Sequence, residues 1–161
     1  MAWAKNGTPD TLGSSGDLMT ISDMEAKKFN MILESHYDTG GLATSKFTLN
    51  NNTNSVYARR QSLNGGTEFT AGSETGWTYS METGNGDFFV GYLCSISGEE
   101  KLLIMPAVDS YTAGAGTAPS RKEYVGKFVP SPDADVTRID ATNIAVGSYD
   151  TSSNLSAIGT D

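Results

Sequence analysis

Asp87–Asp109, DFFVGYLCSISGEEKLLIMPAVD, holds two apolar runs, Phe88–Ile96 and Leu102–Val108, joined by the polar segment Ser97–Lys101. Successive side chains of a strand point to opposite faces. Phe88, Val90, Tyr92, Cys94 and Ile96 therefore share one face, and Phe89, Gly91 and Leu93 share the other, which is also apolar or small. A strand apolar on both faces is expected where both are covered. The joint is of hairpin length and contains Gly98. The stretch thus predicts a central antiparallel hairpin with the other strands beside or over it. Phe88, Val90, Tyr92, Leu103, Met105 and, from a later strand, Ile139 are the expected core. Pro106 has no amide hydrogen to give a ladder, so the second strand is expected to bend, bulge or reach an edge there.

Working outward, the chain reads as short strands between turns. Leu18–Ser22, Phe29–Tyr37, Lys46–Asn50 and Val56–Ser62 precede the hairpin; Arg121–Val129, Val136–Ala141 and Leu155–Ile158 follow it. In Phe29–Tyr37 the alternation sets Phe29, Met31, Leu33 and Tyr37 against Lys28, Asn30, Glu34 and His36, with Ile32 breaking the polar side. Asn50–Ser55 is a polar turn suited to left-handed backbone. Asp23–Lys27 has the composition of one helical turn. Residues 67–86 read as an exposed loop with one short strand around Trp77–Met81, and Gly147–Asn154 as a further loop. Eight to ten strands at this spacing predict an all-β, two-sheet antiparallel β-sandwich, jelly-roll-like, over residues 17–161, with residues 1–16 as an N-terminal extension.

Composition narrows the function. A chain of 161 residues suits one domain, and its 18 glycines suit a protein of many turns. A net charge of −8 argues against nucleic acid or an anionic membrane as partner. No apolar run approaches the roughly 20 residues of a membrane span, and the opening MAWAKNGT lacks the apolar core of a signal peptide. Cys94 is the sole cysteine, so no internal disulfide forms; it is expected to be a small buried hydrophobe.

Sites of chemistry are sparse. His36 is the single histidine, expected on the polar side of its strand, facing solvent or an interface. Gly-x-Ser-x-Gly is absent, and no catalytic residue is expected. Glu99 and Glu100 are adjacent in a turn and read as solvated charges, not as a pair across a sugar cleft. Asp133 and Asp135 could contribute to a calcium site but lack a complete ligand loop; a capped turn is the plainer reading, and no metal or cofactor is expected. Ala113–Thr117 is glycine-rich but has no Gly-Lys-Ser/Thr, so it is no phosphate loop. Arg59-Arg60 and Arg121-Lys122 are expected to pair with carboxylates. The N-x-[ST] matches at Asn6, Asn51 and Asn154 are of a kind that arises by chance in such a composition. Trp3, Phe69, Trp77, Tyr79 and Met81 are large apolar groups in polar segments, with Tyr57 and Tyr111 behind them. They are the candidates for subunit contact or for stacking on glycan, unless they pack the core.

The order Lys28-Phe29-Asn30-Met31-Ile32, then Phe47-Thr48-Leu49-Asn50-Asn51-Asn52-Thr53-Asn54-Ser55-Val56-Tyr57, then the apolar hairpin, then Val136-Thr137-Arg138-Ile139-Asp140 and Gly147-Ser148-Tyr149 with Ser153–Gly159, resembles small β-sandwich virion proteins of marine tailed phages and related viruses. The closing Leu155-Ser156-Ala157-Ile158-Gly159 departs from that pattern, which more often has a bulky aromatic before the last glycine. The resemblance implies a structural protein at the outer surface of a virion, a capsid decoration or outer-shell component. It would act by self-association and by contact with other virion proteins, not by turnover. The alternative is a glycan-binding module of a phage tail or fibre. Contacts between copies are expected through residues 1–16 and 67–86.

Overall fold

The hairpin read from Asp87–Asp109 is the middle of the larger of two packed sheets. The structure, a computed structural model, describes residues 2–79, 86–110, 114–130 and 134–161. Among these the chain forms β1 (Ala4–Lys5), β2 (Asp10–Thr11), β3 (Leu18–Ile21), β4 (Phe29–His36), β5 (Asp38–Thr39), β6 (Ser45–Leu49), β7 (Tyr57–Leu63), β8 (Phe69–Glu74), β9 (Trp77–Tyr79), β10 (Asp87–Cys94), β11 (Lys101–Asp109), β12 (Ser120–Phe128), β13 (Ile139–Asn143), β14 (Ser148–Tyr149) and β15 (Asn154–Thr160). The fold is all-β, an antiparallel β-sandwich. The larger sheet runs β1-β15-β4-β10-β11-β12-β7-β8, with β2 also on β15; the smaller runs β3-β13-β6-β9; β14 and β5 form a separate pair.

Aromatic and aliphatic side chains from the two inner faces meet between the sheets. Phe47 of β6 stands edge-on to Phe89 of β10, ring centres 4.8 Å apart. Trp77 of β9 meets Tyr57 of β7 at 5.3 Å, and Tyr57 stacks on Phe128 of β12 at 4.7 Å. Met19, Ile21, Leu49, Leu103, Met105 and Ile139 fill the space between. The Trp77 indole N–H donates to the carbonyls of Ala58 and Lys127, so its polar edge is satisfied inside the core. Gly126 lies beneath that ring, and a Cβ there would stand 2.7 Å from the indole nitrogen.

Several expectations are corrected. Trp77 and Tyr79 are core residues, each 1% exposed, and cannot meet a partner or a sugar. Phe88 and Tyr92 are about half exposed: the buried face of β10 is the one carrying Phe89, Gly91 and Leu93. Val90 and Cys94 share the outer face and are half-buried. Leu103, Met105 and Ile139 are core as expected. In β4 the polar side faces inward, burying Asn30, Glu34 and His36 and turning Phe29 out. Asp23–Lys27 is not helical, and Phe69–Glu74 is a strand where a loop was expected. Residues 1–16 are less detached than an extension, since β1 and β2 both pair with β15. Pro106 sits in the middle of the sheet. Registered pairing to β10 lapses around it, while pairing to β12 runs on through Pro106↔Glu123. Met81, Tyr111 and Asp133 lie outside the described residues.

The turn after β6 follows its sequence. Asn50 and Asn51 both adopt φ of 54°, the left-handed region that Asn tolerates. The Asn50 carboxamide donates to the Asp135 carbonyl and accepts from the Thr137 and Arg138 amides, tying this turn to the approach to β13.

Candidate interaction surface

The smaller sheet covers the inner face of the larger one and leaves its outer face to solvent. Strand register fixes what that face displays. Ile158, Met31, Tyr92, Ile104, Val125 and Arg60 lie side by side across β15, β4, β10, β11, β12 and β7. The neighbouring row is Thr160, Phe29, Cys94, Leu102, Lys127 and Ala58. A further row, nearer the other end, has Asn154, Ser35, Phe88, Val108 and Arg121. The centre of the face is thus apolar, and charge enters only at its edges: Lys5, exposed and in register with Ile158, at the β1 side, and the charges of β12 and β7 at the other. Leu102 is 52% exposed and Ile104 60%. Scattered exposed hydrophobics are ordinary; a contiguous sheet of them is not.

Leu102 and Ile104 form a ridge between two open depressions. One, of about 320 Å³, is lined by Trp3, Phe29, Tyr92 and Cys94. Besides the Trp3 indole, the Tyr92 hydroxyl and the Cys94 thiol, its lining holds one polar side chain, Asn30. Its carboxamide is engaged by Asn6 Nδ2, 2.7 Å away, and by the Lys27 carbonyl. The other, of about 500 Å³, is lined by Ala58, Arg60, Thr70, Val125 and Lys127. The charges bordering this second side are matched. Lys127 pairs with Glu100 at 3.2 Å, Arg121 with Glu123 at 3.7 Å, and Arg60 with Glu68. The expected pairing of the basic dipeptides with carboxylates is therefore present for Arg59, Arg60 and Arg121, with Arg59 on Glu74 at 2.8 Å.

Of the candidate contact residues, Trp3 and Phe69 are exposed. Trp3 joins the first depression, while Phe69 lies under the Arg59 guanidinium at 5.2 Å on the far edge. The structure does not bring these two together with Trp77 and Tyr79. Sequence reading missed Leu102, Ile104 and Val125. For Leu102 and Ile104 the signal is the double-sided apolar character of the hairpin, which reads as burial; for Val125 it is the alternation of Arg121–Val129.

On the opposite, inner face a polar row runs through the same strands: His36, Asp87, Asp109 and Ser120 are in register and buried. His36 Nδ1 is 3.2 Å from Glu34 Oε1, and Nε2 is 3.3 Å from Asp87 Oδ2 and 3.4 Å from Asp38 Oδ1. These are ion-pair distances with angles outside hydrogen-bond geometry. Burial alone would push the imidazole down, but the Glu34 charge and the contacts with Asp38 and Asp87 outweigh it and hold His36 at about 12. Burial raises Asp87 to about 6 against the pull of His36. The Ser45 hydroxyl donates to Glu34 and accepts from Tyr149. An imidazolium held this firmly is no base near neutral pH, and both it and Ser45 are shut off from solvent. The solvent or interface position expected for His36 is therefore corrected to a buried one, because its ring is the cation for three carboxylates.

Comparison with known proteins yields no match to a family model, to a curated protein or to a solved structure.

Proposed function

We propose that the chain is a non-catalytic structural protein of a virion, at the particle's outer surface. Its working part is the apolar outer face of the larger sheet, buried against other protein in the assembled shell. The observation that carries this reading is the unbroken apolar centre of that face on an otherwise acidic and polar molecule. Water-exposed apolar area of this extent costs free energy, at about 25 cal/mol per Å², until another surface covers it. The virion assignment rests on the resemblance of the turn and strand pattern between Leu18 and Gly159. The alternative of a glycan-binding module loses support because Trp77 and Tyr79 are core. The aromatic depression that remains also lacks the converging polar groups that fix a sugar.

The test is imaging of particles that carry the chain, with the domain placed in the density. The β10–β11 face is expected against protein. Finding that face turned to solvent in every copy would overturn the proposal. A glycan array on the isolated chain addresses the alternative: tight, sugar-specific binding would replace the present reading.

A further inference from the structure

We infer that the occupant of this outer face is a second copy of the same chain, packed face to face about a two-fold axis. The inference rests on the reading of that face as an assembly surface and names its partner. Three observations carry it. The first is shape. The Leu102–Ile104 ridge is flanked on both sides by apolar depressions. A two-fold contact sets the same patch on both copies and so requires self-complementarity. A ridge beside a groove meets that requirement, each copy's ridge lying in a depression of the other.

The second is area. Trp3, Phe29, Phe88, Tyr92, Leu102, Ile104, Val108 and Val125 are each between 37% and 60% exposed. Side chains of this size, about half exposed, leave on the order of 700 Å² of apolar surface together. A standard stable interface takes about 800 Å² from each partner.

The third is charge. The molecule carries −8, which disfavours contact between copies wherever that charge is displayed. On this face the cations Arg60, Arg121 and Lys127 are matched by the anions Glu68, Glu123 and Glu100, and Lys5 stands at the β1 edge in register with Ile158. The face thus carries no excess of negative charge, so two copies meet there without concentrating the charge that opposes contact elsewhere.

Cys94 supplies an internal reporter. It is half-buried, lines the aromatic depression, and is the sole thiol of the chain. The experiment measures mass by light scattering, and the rate of Cys94 alkylation, across concentrations from ~1 to ~100 μM, the range in which a micromolar dimer forms. The parent is expected to pass from 17.0 kDa to twice that mass, with alkylation slowing at least several-fold in step. Ile104→Lys and Val125→Lys replace exposed side chains. Both variants are expected to stay monomeric, with unchanged circular dichroism and fast alkylation at every concentration. A parent that stays monomeric, with a thiol rate independent of concentration, overturns the second-copy inference. It leaves the assembly reading to be judged by the particle imaging alone. A parent whose dimer survives both lysine variants overturns the placement on this face. If the parent assembles but one variant misfolds, the other variant decides.

Discussion

The two faces of the larger sheet are built on the same strands with opposite chemistry. Toward the interior, the row through His36, Asp87, Asp109 and Ser120 is polar and buried; toward solvent, the row through Met31, Tyr92, Ile104 and Val125 is apolar, with the last three substantially exposed. Each row violates the usual arrangement, and each has a different remedy. The inner row is stabilised within the chain, by an imidazolium set among carboxylates. No covering element of the chain remedies the outer row among the described residues. A charge buried with partners is complete in the monomer, whereas an exposed apolar face is complete only in an assembly.

The largest effect is expected on the inner face. His36→Gln leaves Glu34, Asp38 and Asp87 buried together without their central cation. Breaking a buried ion pair in this way costs about 3–5 kcal/mol. The pH dependence follows from the directions of the shifts. His36 is raised from 6.5 to about 12, so its contribution is full below 6.5 and declines as pH rises toward 12. Asp87 is raised from 3.8 to about 6, so its contribution is full below 3.8 and is lost as pH rises through 6. Both favour the folded state on the acid side of neutrality. The denaturation midpoint of the parent is therefore expected to fall as pH is raised from 6.5 toward 12, and His36→Gln to lie lower and to lose the part of that slope above the ionisation of its own buried Asp87, which is freed of the pull of His36. Equal slopes in the two proteins would show that the cluster does not hold a charged imidazole.

A second comparison uses adjacent residues of β10. Phe89→Ala empties a core position against Phe47 and Tyr79 and should cost about 3–5 kcal/mol in urea unfolding. Phe88→Ala, one residue away on the outer face, should change the stability of the dilute chain by less than about 1 kcal/mol. Its effect should grow with protein concentration, because there the side chain is covered by the partner. A large loss for Phe88→Ala in the dilute chain would mean that the outer face is already covered within one molecule.

The hairpin shows why sequence reading found the sandwich but mislaid the surface. Alternation in Phe88–Cys94 and Leu102–Val108 identifies strands and sorts residues into two faces, and the antiparallel class follows. It does not say which face is inside when both are apolar. In β4 it misleads, since Phe29, Met31 and Leu33 look like a core stripe while Asn30, Glu34 and His36 look solvated. Burial of those three depends on partners distant in sequence: Asn6 for Asn30, Ser45 for Glu34, Asp87 for His36. Trp77 and Tyr79 look exposed because Gly, Ser and Thr surround them, yet three residues of strand on the edge of β6 suffice to carry both rings inward. The Asn50–Asn51 turn was legible because its left-handed backbone is a local property.

The smallest expected effect comes from the outer face of the other sheet. There Thr20, Asp140 and Thr48 lie in register, with Leu18, Thr142, Lys46 and Thr78 beside them. Arg138 closes on Asp140 through Nε at 2.9 Å and Nη2 at 2.7 Å, and the Thr20 hydroxyl donates to the same carboxylate at 2.7 Å. Leu18, 48% exposed, is the one large apolar side chain in these two rows. By fractional exposure it is the equal of Tyr92 or Leu102. It differs in its neighbours, which are polar: Thr142, Lys46 and Thr78 in its own row, and the hydrogen-bonded Thr20 and Asp140 in the next. If exposure of a single side chain determined association, Leu18→Lys would weaken the dimer as Ile104→Lys does. If a contiguous apolar face is required, Leu18→Lys should leave mass and Cys94 protection unchanged and alter stability by no more than about 0.5 kcal/mol. Dissociation by Leu18→Lys would place the contact on the smaller sheet and remove the distinction between the two outer faces.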